Sequence, residues 1–325
     1  LVVDEAHCIS DWGHDFRPDY QRISNIVGQL PGNSSLLATT ATANHRAILD
    51  IMSQLSDIRV LRGPLLRENL ALQSLGRMSV ADRLAWLASA LPTIERQGII
   101  YTLTTSDADT VTLWLNFRGI SAASFHSQLT LELRSELEDR FEASDVRILV
   151  ATSALGLGYD NPNVGFVIHY QSHGSMIAYY QQVGRAGRNH NTALGILMTG
   201  DEDERINRSF RMSSLPLENE ISQILNRLDE LDQTSLRQLS SMLNISPKRI
   251  ESVLRFLAVQ TPATVVKAGG FWQRNPVPFP EGYADLRLRL IALREKEWRE
   301  IQAYRRSEHD CRMSMLLRTL DDPEE

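Results

Sequence analysis

The sequence predicts an α/β fold: parallel-sheet lobes, the first of them truncated, followed by a mainly helical domain that carries a hairpin. Two observations predict it. From Leu1 to about Thr199, short apolar runs alternate with stretches of helical periodicity, the rhythm of βαβ units. Beyond Gly200 that rhythm stops, and a series of helix signals leads to one hairpin signal. The boundaries expected from these shifts are 1–70, 71–212, 213–278 and 279–325.

The first element is the end of a buried strand, Leu1-Val2-Val3, which delivers Asp4, Glu5 and His7 to its tip. Acidic residues at the carboxyl end of a parallel strand are the usual place for a nucleotide site. There Asp4 would hold Mg²⁺ through water, and Glu5 would orient or deprotonate an attacking water. A solvated Asp-Glu pair is the plain alternative. The next stretch, Cys8 to Tyr20, sets Trp12, Phe16 and Tyr20 among His14 and Arg17, flat faces for bases beside a guanidinium for phosphate.

A short helix is expected over 21–29, closed by Pro31-Gly32, then a strand over 35–39 that runs into Thr40-Ala41-Thr42. Asn44 is placed to cap a helix over 45–55. Residues 60–67 read as a last strand, and 67–79 as a linker. The second βα series then runs through helix 81–91, strand 98–102, helix 106–117 with Gly119 past its end, strand 122–126, helix 130–143, and strands 146–152 and 164–170.

Two blocks of this series carry chemistry. In Ala151 to Pro162, glycines follow a strand; Thr152 could reach a phosphate, Gly158 could admit it to the backbone, and Asp160 could accept from a ribose hydroxyl. In Tyr179 to Arg188, Arg185 and Arg188 are expected on one helical face, headed by Gln181. A planar guanidinium suits a transferring phosphoryl group, so Arg188 is the candidate finger and Arg185 its partner. His126, His169 and His173 read as structural, and no cluster has metal-ligand spacing.

In the C-terminal third, helices over 220–231, 234–243 and 248–259 precede a hairpin about Ala268-Gly269-Gly270, a winged-helix order. Lys248, Arg249 and Arg255 could meet phosphates, and Phe271 or Trp272 a base. A long helix over 283–306 bears an apolar stripe (Leu286, Leu290, Leu293, Ile301, Tyr304) and could pair with another helix, but packing on the preceding lobes is the expectation.

With 325 residues, 42% of them hydrophobic and 23% charged, the chain has an ordinary globular composition and room for two or three domains. No apolar run approaches a membrane span. Two cysteines, Cys8 and Cys311, make no disulfide framework, so a reducing cytoplasm is the default. The net charge of −6 weighs mildly against nucleic acid, although a local basic groove suffices.

In order and spacing, the Asp-Glu-Ala-His box with its aromatic loop, Thr40-Ala41-Thr42, the Ala151 block and the Gln181-to-Arg188 block resemble RecQ-type ATP-dependent DNA helicases of superfamily 2. The resemblance implies RecA-like lobes, ATP and Mg²⁺ as cofactors, and Trp12, His14, Phe16 and Arg17 in DNA contact coupled to hydrolysis. It implies 3′ to 5′ movement on single-stranded DNA and unwinding of duplex junctions in repair or recombination. It also implies a monomer near the nucleoid. The sequence departs from the pattern at Asp11, Gln182, Asn189 and His190, where Gln, Glu, Asp and Gly are usual, and in a winged helix directly behind the motor.

His309 to Met313 resembles the start of the RecQ zinc module, with Cys311 as its first ligand and zinc possible in a full-length parent. A chain that begins inside a strand and holds no Gly-x-x-x-x-Gly-Lys loop is expected to be a fragment that neither binds ATP tightly nor hydrolyses it alone. A non-catalytic winged-helix DNA-binding module and an RNA-remodelling ATPase are the other classes the residues allow.

Overall fold

The structure, a computed structural model, describes residues 1–9, 20, 23, 26–31, 34–55, 58–156, 159–213 and 215–322. Trp12, His14, Phe16, Arg17 and Gly158 lie outside the described residues. The chain divides into two compact units. One comprises Leu1–Thr39, Ala47–Arg59 and Ser209–Leu293; the other comprises Thr40–Arg46, Val60–Arg208 and Arg294–Glu325.

In the first unit, β1 (Val2–Val3) pairs in parallel with β2 (Leu37–Ala38). Val3, Ala6 and Ile9 bury against Ile51 and Leu55 of α1 (His45–Leu55). Of the helix expected over 21–29, Ile23, Ile26 and Val27 are helical.

The second unit is built on β3 (Leu70–Arg77), β4 (Gln97–Tyr101), β5 (Ala122–Phe125), β6 (Ile148–Ala151), β7 (Val164–His169) and β8 (Ala193–Thr199). They form one wholly parallel sheet in the order β3-β8-β7-β4-β6-β5. Every residue of β6 and β7 is buried, as expected of strands covered on both faces. Alternate residues serve opposite cores. Ile100, Val150 and Ile168 meet Leu87, Val111 and Leu115 of α2 (Val80–Ala90) and α3 (Thr105–Phe117). On the other face, Ile99, Leu149 and Val167 meet Phe141 of α4 (Leu131–Glu142) and Tyr179 and Val183 of α5 (Met176–Val183).

The helix starts follow local chemistry: Ser79 forms a capping box with Asp82, and the Thr104 and Thr130 hydroxyls accept from amides three residues on. Gly119 follows α3 at φ +76°, the left-handed position glycine favours.

Two expectations about strands fail. Residues 60–67 form no strand, and the stretch read as a linker contains β3, which pairs with β8. An edge strand buried on few positions carries Gln73, Ser74 and Arg77 without penalty, so its sequence lacks the apolar signature of its neighbours. A third correction concerns the arginines. Helix α5 ends at Gly184, so Arg185 and Arg188 follow it in a turn instead of sharing a helical face.

After α6 (Asp203–Ser213), three helices follow: α7 (Glu218–Asp229), α8 (Leu236–Met242) and α9 (Pro247–Ala258). The hairpin of β9 (Val265–Ala268) and β10 (Phe271–Arg274) comes next. Ile224, Leu239, Ile250, Leu254, Val265 and Trp272 share their core. Ser235 caps α8, and Thr234 exchanges backbone hydrogen bonds with Trp272 at 2.9 and 2.8 Å. The long helix α10 (Tyr283–Arg306) contributes Trp298, Ile301 and Tyr304, and α11 (Arg312–Thr319) contributes Met313, Leu316 and Leu317, to the α5 face of the parallel sheet. The C-terminal segment is therefore an integral layer of the second unit.

Candidate functional site

In the first unit, Asp4 stands exposed at the tip of β1. Its Oδ1 accepts from the Thr39 hydroxyl at 2.8 Å and from the Glu5 amide at 2.9 Å. The Thr39 hydrogen bond, then that of Glu5, holds the Asp4 carboxyl below its ordinary range. Thr39 sits there because β2 runs parallel beside β1 and both chains end level, with the Thr39 amide on the Val3 carbonyl at 2.9 Å. Glu5 has φ +50°, a left-handed bend that turns the chain off the strand. Its Oε2 lies 3.3 Å from Nδ1 of His7, which is buried. An exposed, ionised carboxylate fixed by two donors is suited to hold a hydrated divalent cation. Thr39 carries no functional signal in the sequence, since only the strand register places its hydroxyl.

In the second unit, the C-terminal ends of β6 and α5 converge. Thr152, 8% exposed, follows β6, and its hydroxyl accepts from the Ala154 amide at 3.4 Å. Arg185 is 9% exposed; Nη1 donates to the Tyr159 carbonyl at 2.5 Å and Nη2 to the Gly156 carbonyl at 2.6 Å. Its charge is spent clamping the glycine loop. Arg188 differs. It is exposed, and Nη1 lies 2.6 Å from Oδ1 of Asp160, which is also exposed. Such a pair contributes little to stability, so a ligand can take either partner at small cost.

The arginine turn is held from below by residues the sequence did not point out. Arg67 donates to the Gly184 and Ala186 carbonyls at 3.3 and 3.1 Å, and Asn69 to those of Gly187 and His190 at 2.7 and 2.8 Å. Gly187 has φ +79°, and a Cβ there would meet that of Ala193 at 2.6 Å, so glycine is required. Gln181 donates to the Thr42 hydroxyl at 2.7 Å, which joins the Thr-Ala-Thr motif to this block.

At Gln182, its Oε1 lies 2.7 Å from His169 Nε2. Burial lowers the pKa of His169 to about 4, against the Gln182 hydrogen bond, and a neutral amide suits that neutral ring. His126 pairs with Asp109 at 3.2 Å. An open recess of about 430 Å³ beside Asp160 is lined by Glu138 and Glu142, carboxylates that would repel a polyphosphate.

In the helical region Lys248 and Arg255 are exposed, Arg255 paired with Glu251 at 2.8 Å. Arg249 is not offered to a phosphate, which corrects the expectation for it. Its Nε and Nη2 donate to the two Glu220 oxygens at 2.8 and 2.7 Å, Nη2 also to the Leu215 carbonyl at 2.8 Å, and Nη1 to the Ser213 carbonyl. Trp272 is buried, whereas Phe271 is 40% exposed at the hairpin tip.

Cys311 is an exposed thiol at the start of α11. Among the described residues no group of three or more His, Cys, Asp or Glu is arranged to hold a metal ion, and no helix is long and apolar enough to cross a membrane.

Residues 82–190 match the helicase conserved C-terminal domain family. The chain is 35% identical over 229 residues to ATP-dependent DNA helicase Q1 of Mus musculus, covering 68% of this chain and 34% of that protein. It is 34% identical over 235 residues to ATP-dependent DNA helicase RecQ of Bacillus subtilis, covering 71% of this chain and 39% of that protein. It thus spans little more than a third of the length of either. The helicase Lhr of Mycobacterium smegmatis, solved with single-stranded DNA and AMP-PNP, aligns with a TM-score of 0.51 at 17% identity, over 85% of this chain and 41% of that one. That likeness speaks to the fold.

Proposed function

We propose that this chain, a RecQ-like superfamily 2 helicase chain, is part of a motor that couples ATP hydrolysis to 3′ to 5′ movement on single-stranded DNA and to duplex unwinding. Repair or recombination is the setting proposed for it, with a monomer in the nucleoid-associated cytoplasm. Asp4 would hold a hydrated Mg²⁺, and Glu5, with His7 behind it, would orient the attacking water. When bound, Mg²⁺ would neutralise charge on the β- and γ-phosphoryl oxygens. Gln181, Thr152, Gly158 and Asp160 line the nucleotide. Trp12, His14, Phe16 and Arg17 take the single strand.

One observation carries the assignment of the finger. Arg188 is the exposed arginine of the pair, held by an exposed carboxylate, whereas Arg185 is committed to two carbonyls. On this reading Arg188 is the finger for the γ-phosphoryl group, and Arg185 shapes the loop around it. In the full-length protein, Arg188→Ala should lower DNA-stimulated ATP turnover by about 1,000-fold with nucleotide affinity retained. Turnover within tenfold of the parent would remove Arg188 from the mechanism.

A second reading, a non-catalytic duplex-binding module, rests on the three-helix and hairpin order with Lys248 and Phe271 exposed. Duplex binding by a full-length protein that lacks all ATPase activity would favour it.

A further inference from the structure

The chain leaves the second unit after Arg46 and re-enters it at Val60. Both stretches, 40–46 and the residues from Val60, are gripped by the same short segment near the other end of the sequence. Asp321 Oδ2 accepts from the His45 amide at 2.8 Å. That amide opens α1, and a helix start leaves its first amides without partners inside the helix. Asp322 Oδ2 accepts from the Leu65 amide at 2.7 Å, and the Leu320 carbonyl accepts from Arg62.

Asp322 is 6% exposed and Leu320 wholly buried in the α5 face of the sheet, so these groups are anchored to the core. Asp321 has φ +52°, which puts the two successive carboxylates on different backbone targets. The gripped stretches also meet α5. Thr42 accepts from Gln181 at 2.7 Å, and the Leu65 carbonyl accepts from the Tyr180 hydroxyl.

We propose that Asp321 and Asp322 are positioning residues for the Thr40-Ala41-Thr42 motif. The far end of the chain fixes the two stretches beside that motif and so sets its register against Gln181. The physical reason is reach. The motif lies in a segment of seven residues, Thr40–Arg46, joined at both ends to the other unit, and it has no sheet of its own to hold it. Two carboxylates on amides, anchored by buried α11, supply the missing support. The consequence for turnover rests on the motor reading above; the consequence for local order does not.

The test is made in the full-length protein with Asp321→Ala and Asp321→Asn, and with Asp321→Gly, which fits φ +52° without an acceptor and separates a lost hydrogen bond from backbone strain. A side-chain cap of ordinary strength corresponds to a factor of about five in local opening. Amide exchange across residues 43–48 should rise about fivefold in Asp321→Ala and return towards the parent value in Asp321→Asn, which keeps an acceptor. DNA-stimulated kcat should fall in the alanine variant with KM for ATP unchanged. Unaltered exchange at 43–48 would overturn the proposal, as would raised exchange with kcat and KM both untouched in an active protein. If the parent itself shows no DNA-stimulated ATPase, the motor reading fails, and the exchange result alone decides whether Asp321 positions the motif.

Discussion

The turn after α5 and the start of α9 present basic residues in the same way and spend them differently. At each place one arginine is withdrawn into the fold and a neighbour is left outside: Arg185 with Arg188, and Arg249 with Lys248. Arg185 answers two carbonyl dipoles, whereas Arg249 answers a carboxylate in two-toothed fashion plus two carbonyls. In both, the withdrawn guanidinium, buried for Arg185 and half-buried for Arg249, bridges backbone carbonyls. Position in a motif does not tell the clamp from the ligand contact; burial and partners do.

The largest effect should come from Arg249→Ala, which strands a partly buried Glu220 carboxylate. About 3 kcal/mol of stability should be lost, read by chemical denaturation. A loss under 1 kcal/mol would mean that the pair is solvated and the contrast with Lys248 empty. Arg185→Ala should cost about 2 kcal/mol, for two carbonyls deprived of a charged donor. Arg185→Lys should recover less than half of it, because an ammonium cannot span both carbonyls as a planar fork does.

The carboxylates sharpen the same contrast by pH. Burial would raise Glu220, but hydrogen bonds from Arg249 and the Leu217 amide outweigh it and its pKa falls below 4.5. Its contribution is therefore present at neutral pH and is lost as pH drops through the lowered value. At Glu297 burial outweighs the pull of Arg46 and Arg294, and the pKa rises to about 7 from 4.5. The native state then holds a proton that the unfolded chain has released, so stability declines between about pH 4.5 and pH 7. Glu297→Gln should flatten that decline, and Glu220→Gln should flatten only the acid side, in denaturation curves measured across pH. A parent whose stability rises between pH 5 and 7 just as steeply with and without Glu297 would contradict the sign.

The smallest effects belong to the outward partners. Arg188→Ala and Lys248→Ala should leave stability within about 0.5 kcal/mol. If α9 meets phosphate, Lys248→Ala should weaken duplex binding uniformly across sequences and reduce the salt slope by about one. A larger loss of stability for either would place it among the clamps.

Much of this was legible from residue order. Ile148 to Ala151 and Val164 to Ile168 are apolar throughout because the sheet is covered on both faces, and Ser246-Pro247 opens α9 by local chemistry. Strand β3 was not legible, because an edge strand needs few buried positions. Nor was Thr39, whose hydroxyl acquires meaning only from the register of β2 beside β1.

By itself, the sequence determined the parallel α/β core, the helix starts and the blocks that carry the helicase resemblance, since each rests on periodicity or on neighbours a few residues apart. Which arginine is buried, which tryptophan or phenylalanine faces outward, and that Asp321 supports His45 were decided by tertiary structure alone. Those outcomes depend on groups far apart in the chain, and only packing determines which donor and which acceptor water can no longer reach.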